Sequence, residues 1–347
     1  MVKNPYKVLE KIRKYEPRID DLEEKNRILE NLLQEERKKR IRSDDYTRKL
    51  ERRILQLEKN HYSDYCSQLD SAQYPHELKA WYFQETGKEL NLERPRTYNE
   101  KIQWFKIYGQ TAEISHLVDK ISVRDFVASK IGEKYLIPLL GTWDYPEDID
   151  FASLPEKFVL KANHGSGYNC FVYDKSRLDM KDLMKKANHW LRQDFAFTYG
   201  FEMQYHYIKR RLLAEPYLEN DRGDLYDYKF RCFNGKVEMV SYGMDRKGDS
   251  PMDFFDRDWN HLPIKYKHYP NSGKPIPRPD NLEEMIEKAE VLAAGFPQVR
   301  VDFYRTNDGK VYFGEMTFTS SSGVAQWDPP ELDLQLGQLF SYPGMPE

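Results

Sequence analysis

The sequence predicts an α+β domain preceded by a long polar helix, and three observations carry that prediction. From Tyr135 onward, short runs rich in β-branched and aromatic residues recur, with Asn234-Gly235 and Asn307-Asp308-Gly309 as tight-turn signals between paired runs. Helical segments alternate with these runs, and helices mixed with antiparallel hairpins indicate α+β rather than a doubly wound parallel sheet. Ahead of them, from about Pro17 to about Asn60, apolar residues fall at heptad spacing with no Gly or further Pro to interrupt. The expected division is therefore a helical region over 1–60 and an α+β domain over 61–347.

In the N-terminal segment Ile19, Leu22, Leu29 and Leu33 share one register with Leu50, Ile54 and Leu57, and Asn26 takes an a position. Glu36, Arg40, Ser43 and Thr47 break the seam in the middle. The expectation is a short coiled coil that makes a homo-oligomer through residues 17–60; a single solvated helix is the alternative. The cluster Arg37-Lys38-Lys39-Arg40-Ile41-Arg42 suits a solvated face, or a peripheral contact with the anionic inner surface of a membrane.

Composition narrows the function. The 347 residues include 39% hydrophobic and 14% aromatic side chains, enough for a packed core. Net charge is −3, yet residues 1–60 hold 18 Lys/Arg against 13 Asp/Glu, which leaves −8 for the remainder. The folded part is thus acidic, which argues against a nucleic-acid partner. Cys66, Cys170 and Cys232 form neither a CxxC pair nor a Cys/His cluster, so no disulfide framework or zinc site is indicated. No apolar signal core follows Met1, and the expected compartment is the cytoplasm.

Between 61 and 130 the pattern is helical. Thr97-Tyr98-Asn99-Glu100 is a capping box, and Asp119-Lys120 opens a helix from Ile121 to about Lys130. Strands are expected over Lys157–Lys161, Cys170–Tyr173, Arg211–Leu218, Tyr226–Asn234, Lys236–Tyr242, Gln298–Arg305 and Lys310–Thr317. Helices are expected over Met180–Gln193, Leu282–Ala294 and Glu331–Phe340.

Two constellations carry chemistry. Arg300-Val301-Asp302-Phe303, a tight turn, and Phe313-Gly314-Glu315-Met316-Thr317 bring two carboxylates together on strands that are otherwise apolar. Buried carboxylates need a compensating cation, and a hard ion taking one or two carboxylates plus phosphate oxygens fits magnesium. The competing reading has Asp302 paired with Arg300 and Glu315 capping a turn. The second constellation runs from Phe158 to Asn169: a strand ends in Lys161, and His164-Gly165-Ser166-Gly167 follows as a loop whose backbone N–H groups can approach phosphate. It is not a Gly-Lys-Ser/Thr phosphate loop. Further along, Glu215-Pro216-Tyr217-Leu218-Glu219 leads from a strand into a polar connector, and Asp227, Lys229 and Arg231 share one strand face. The aromatic stretch Phe195–Tyr207 suits core packing or a sugar platform.

In this order, and together with Arg94-Pro95-Arg96-Thr97-Tyr98-Asn99-Glu100-Lys101 and Asp119-Lys120, these segments resemble the ATP-grasp superfamily, more closely its TupA-like branch of bacterial surface-polysaccharide pathways. The resemblance covers roughly residues 74–340. It implies an ATP-grasp fold, in which two α+β subdomains clasp ATP, and the cofactors ATP and Mg2+. Lys120 and Lys161 look like the two phosphate-contacting lysines, and His164, Gly165, Ser166 and Gly167 would close over the phosphates. Glu215, Pro216, Tyr217 and Leu218 would line the adenine, with Glu219 reaching the ribose. Lys229 and Arg231 would face the phosphates, Arg300 would steady the developing anion, and Asp302 and Glu315 would hold the metal. Members usually carry Asn two residues after the second acid; here that position is Thr317, a poorer carbonyl substitute, so the third ligand stays open.

The activity so implied is ligation of a carboxylate to an amine through an acyl phosphate, with a uronic-acid polysaccharide or its precursor and an amine or amino acid as the partners. The rival is a metal-dependent glycosyltransferase, for which Asp256-Arg257-Asp258 offers an Asp-x-Asp; Asp148-Ile149-Asp150 repeats the pattern, so chance accounts for it. A non-catalytic nucleotide-binding scaffold is a third reading.

Overall fold

A computed structural model describes residues 60–218, 225–244, 251–266 and 269–346. The coiled coil expected over 17–60 lies, up to residue 59, outside the described residues, and so does Glu219.

A helical layer comes first: α1 (Tyr74–Thr86), α2 (Tyr98–Tyr108), α3 (Ala112–Val118) and α4 (Val123–Ile131). The capping box forms as expected. Thr97 Oγ1 accepts from Glu100 N at 3.2 Å and Glu100 Oε2 accepts from Thr97 N at 3.0 Å, which satisfies two of the otherwise orphaned N–H groups at the start of α2.

Next come β1 (Gly141–Trp143), β2 (Phe158–Ala162), β3 (Asn169–Val172), α5 (Met180–Arg192) and β4 (Leu212–Pro216). The four strands form an antiparallel sheet in the order β1-β4-β2-β3. Leu183, Ala187 and Trp190 of α5 share a core with Phe158, Leu160, Leu212 and Ala214. Burying one face in this way leaves Lys161, the half-buried residue of β2, directed elsewhere.

The larger sheet takes β5 (Tyr226–Phe233), β6 (Lys236–Met244), β7 (Met252–Phe255), β8 (His261–Leu262), β10 (Gln298–Arg305) and β11 (Val311–Thr317), ordered β11-β10-β5-β6-β7-β8 and antiparallel throughout. Between β8 and β10 run β9 (Lys265–Tyr266) and α6 (Leu282–Ala293). Leu282, Met285, Ile286, Ala289 and Leu292 of α6 are buried in the core that holds Phe230, Val301 and Phe303. That core claims the odd-numbered positions of β10, so Arg300, Asp302 and Tyr304 face the other way. The hairpin between β5 and β6 turns at Asn234 and Gly235 with φ of 50° and 76°, the doubly left-handed turn the dipeptide predicts.

Finally β12 (Trp327–Asp328) pairs with β9, and α7 (Glu331–Leu339) packs on α2, where Lys101 Nζ donates to the carbonyls of Gly337 and Phe340 at 2.8 and 2.6 Å. The segment Phe195–Tyr207 is mainly core: Phe195, Phe197, Phe201 and Tyr205 are buried, whereas Tyr207 is exposed.

Candidate active site

A cleft of about 480 Å³ opens between the two sheets. Lys120 and Arg124 reach it from the junction of α3 and α4, Lys161, Ser166 and Gly167 from β2 and its loop, and Glu215 from β4. The larger sheet contributes Asp227, Tyr304 and Glu315. Segments far apart in sequence thus meet because each sheet buries one face and turns its charged face inward.

Strand register sets the electrostatics of the floor. Glu315, Asp302, Lys229 and Ser241 stand opposite one another across β11, β10, β5 and β6. Lys229 Nζ donates to Asp302 Oδ2 at 2.9 Å and to Asp227 Oδ2 at 2.5 Å. Arg300 donates from Nε and Nη2 to the two Asp302 oxygens, both at 2.7 Å, and from Nη2 to Glu315 Oε1 at 2.7 Å. Burial works against ionisation of Asp302, but Arg300 and Lys229 overcome it and hold the carboxyl below its usual range. Burial likewise opposes the Lys229 charge, and Asp227 and Asp302 prevail to raise it above the ordinary lysine value.

From the sequence alone both acids call for an outside cation. That is corrected for Asp302, whose charge Arg300 and Lys229 already balance. Glu315 is different: its side chain is 35% exposed to the cleft, Thr317 Oγ1 donates to its Oε1 at 3.1 Å, and Oε2 has no partner among the described residues. Two adjacent carboxylates, one with an unused oxygen on the cleft, fit a magnesium ion that takes its remaining oxygens from phosphate and water. Thr317 orients Glu315 through its hydroxyl. Among the described residues no set of three His, Cys, Asp or Glu side chains forms an all-protein metal cage.

On the opposite wall Lys161 Nζ pairs with Glu215 Oε2 at 2.5 Å, and Arg124 Nη1 lies 3.7 Å from Glu215 Oε1. Lys120 Nζ donates to Gly165 O at 2.5 Å, tying the Gly-Ser-Gly loop to the helical layer. Burial lowers the Lys120 pKa, with Glu315 as the main opposing influence. Gly165 has φ of 76°, and a Cβ there would collide with the Phe195 ring, so only glycine lets the loop turn so close to the core. Pro216 ends β4, and Tyr217 meets the rings of Phe171 and Tyr173 edge-on. Leu218 follows outside the strand.

Two expected positions depart from the cleft. His164 is fully buried, with Nε2 3.1 Å from Trp190 O and its ring against Tyr168, so it faces the core of the smaller sheet and not the cleft. The backbone reverses at Gly165, and that sends His164 inward. Arg231 does not line the cleft either: it is 4% exposed and donates from Nη1 to Ser241 Oγ at 2.9 Å.

The buried imidazole carries a pH prediction. Desolvation first, then Arg210 and Lys120, lowers the His164 pKa to about 4 from an unfolded value of 6.5. Between those values the unfolded chain binds a proton that the native chain does not, so stability rises with pH and is lost as pH falls from 6.5 to 4. The expected loss is about 3 kcal/mol across that window. His164→Phe removes one proton from the urea-unfolding pH dependence; an unchanged slope contradicts the assignment.

Sequence reasoning missed Asn163 and Arg124. Asn163 is fully buried; Nδ2 donates to Asp119 Oδ1 at 2.8 Å and Lys209 O at 2.9 Å, and Oδ1 accepts from Arg211 N at 2.7 Å. It pins the Asp119-Lys120 turn to β2 and β4, and its place between Lys161 and His164 was the available signal. Asn163→Ala leaves these groups unpaired and is expected to cost about 2–4 kcal/mol in denaturant unfolding, with Lys120 displaced. Arg124, one polar residue on a helix, offered no signal.

The family model described as TupA-like ATP-grasp matches residues 100–341, well over half of the chain. The chain belongs to the TupA-like ATP-grasp family. The Asp302/Glu315 hairpin, the Lys161 loop and the Glu215 strand all fall inside the match, and its fold is the ATP-grasp fold. No curated protein sequence matches it. Similar solved structures include N5-carboxyaminoimidazole synthetase from Staphylococcus aureus complexed with ADP, at 14% identity and TM-score 0.34 over 58% of this chain and 44% of that one. L-amino acid ligase from Bacillus licheniformis is similar at 13% identity and TM-score 0.38 over 63% and 48%. D-alanine–D-alanine ligase from Bacillus anthracis with ATP is similar at 15% identity and TM-score 0.35 over 59% and 56%. The chain spans about half the length of these structures.

Proposed function

We propose that this TupA-like ATP-grasp chain is an ATP-dependent carboxylate–amine ligase. The observation that carries the reading is the cleft itself, in which two lysines and Glu215 on one wall face the carboxylates of Asp227 and Glu315 on the other, with Asp302 buried directly beside Glu315 across the β10–β11 register. Lys120 and Lys161 neutralise phosphate oxygens, and Ser166 and Gly167 close over them. Glu215 with the following Pro216, Tyr217 and Leu218 borders the base. Magnesium, held by Asp302 and Glu315, supplies further charge neutralisation when bound. The acceptor carboxylate oxygen attacks the γ-phosphorus, the bond to ADP breaks, and the amine nitrogen then attacks the acyl carbon, releases phosphate and gives up a proton. Arg300, already on Glu315 and Asp302, steadies the anion that develops on the acyl oxygen. No nucleophilic triad is needed, because positioning and charge neutralisation do the work.

The acceptor is a sugar acid or uronic-acid polysaccharide, and the donor is an amine or amino acid; residues 17–60 assemble the protein into an oligomer. The Asp-x-Asp that supported a glycosyltransferase has a structural use: Asp256 Oδ1 accepts from Asp258 N and Asn260 N at 2.9 and 2.8 Å and shapes a turn. Coupled-enzyme assays with ATP, an amino acid and glucuronate oligomers test the ligase reading. ADP and phosphate released together only when both the sugar acid and the amine are present support it; UDP-sugar consumption without ATP rejects it.

A further inference from the structure

Beside Arg300, one strand further from the cleft, the sheet buries a cation with no counter-charge. Arg231 stands opposite Arg300 across β5 and β10. Lys229 and Arg300 each hold a carboxylate, whereas Arg231 forms no ion pair among the described residues and its Nε is buried without a hydrogen-bond partner. Leaving a guanidinium uncompensated in the interior costs several kcal/mol, so the fold holds it there against its own stability.

A further unmatched donor lies against it. The Arg231 guanidinium sits 5.2 Å from the centre of the Trp327 ring, and Trp327 Nε1 is itself buried and unpaired. Ser320 Oγ is also buried, and it lies at the Tyr98 hydroxyl, which neighbours Arg231 as well. Ser320 belongs to a strained turn: Ser321 and Ser322 have φ of 52° and 51°, conformations that non-glycine residues adopt only when their surroundings force them. Gln103 Nε2 supplies that force, donating to Ser322 O at 2.9 Å and Gly323 O at 2.8 Å. Gln204 Nε2 and Glu202 both bond Thr319 Oγ1 and fix the turn from below.

One unmatched cation and one neutral donor, both buried and next to the Arg300–Glu315 pair, are a receptor for an oxyanion. The geometry points to Arg231 and Trp327 as a subsite for a second, non-reacting carboxylate on the acceptor, one strand spacing of about 5 Å from Arg300. This rests on the ligase reading above. A carboxylate is favoured over phosphate because its two coplanar oxygens match the edge of a guanidinium. Its single charge also equals the one cation present, whereas a phosphate dianion would bury a charge unmatched. The subsite would fix the acceptor while Arg300 and Glu315 address the reacting group, so it selects diacids over monoacids.

Glutarate, acetate and inorganic phosphate are the probes, titrated into the full-length protein with tryptophan fluorescence as readout and Trp327→Phe as the control. Glutarate is expected to give a saturable change, with acetate and phosphate at least tenfold weaker. Arg231→Met is expected to lose that response, and Arg231→Lys to retain it at least tenfold weaker. MgADP binding, measured separately on each variant, stays as in the wild type; its absence from the wild type would count against the ligase reading and not against the subsite. The proposal is overturned by an absent glutarate response, by an undiminished one in both Arg231 variants, or by phosphate binding in preference to glutarate.

Discussion

Asp302→Asn is expected to abolish ATP-dependent turnover and to destabilise the protein, whereas Glu315→Gln is expected to abolish turnover alone. Glu315 lines the cleft and Asp302 lies buried beside it across the strand register, so on the proposed function both changes remove charge next to the bound phosphates, at an expected cost of about a thousandfold or more in kcat. Their burial separates the second effect. Asp302 is 1% exposed and carries both Arg300 and Lys229. Neutralising it leaves two buried cations short of a counter-charge, a loss of about 3–5 kcal/mol, reduced toward the lower figure because Asp227 and Glu315 remain. The Glu315 side chain is 35% exposed, so losing its bond from Arg300 costs about 1 kcal/mol or less. Because the native Asp302 pKa lies below its unfolded value, its stabilisation is complete above the unfolded value and is lost only as pH falls through the native one. The contrast is therefore independent of pH between about 5 and 8. Paired denaturation and ADP-release measurements check it; equal losses of stability in the two variants would show that the buried ladder is not centred on Asp302.

This asymmetry is where the sequence was least legible. Alternation of charged and apolar residues placed Asp302 and Glu315 on one face, and the hairpin turn between them predicted their approach. The seven strands read from periodicity all form, with ends shifted by at most two residues, because each buries side chains in one of the two cores. What periodicity does not encode is which cation neutralises which acid. That depends on cross-strand register, and β5 comes from a segment some seventy residues away from β10. The short strands β1, β7, β8, β9 and β12 were missed because two to four residues carry no period. His164 misled for a related reason: a histidine beside a glycine loop reads as a ligand, yet the side of the chain on which it falls is set by the left-handed turn at Gly165. Thr317 read as a weak substitute for a metal ligand, and the structure gives it another task, holding Glu315.

Lys161→Met is expected to raise KM for ATP by about a hundredfold while leaving the fold intact, because its charge is exchanged on binding and not built into the core. Without ligand the ammonium sits on Glu215 Oε2 at 2.5 Å, with side-chain exposures of 21% and 9%. On the proposed function phosphate draws it away, and Glu215 then retains Arg124, 3.7 Å from its other oxygen. Arg124 is thereby a reserve partner: its Nη2 is anchored on Ile137 O at 2.7 Å, so it stays in place when Lys161 moves. Two consequences follow from this exchange. A charge-assisted contact to phosphate lost in Lys161→Met is worth roughly 1.5–3 kcal/mol, which corresponds to one to two decades in KM. Arg124→Met, by contrast, removes the reserve, so Glu215 keeps its hold on Lys161 and KM rises by a smaller factor of about ten. The double variant then shows less than the product of the two effects, since both act through the one carboxylate. ATP saturation curves for the three proteins decide the matter; a strictly multiplicative result would mean that Arg124 and Lys161 serve the nucleotide independently.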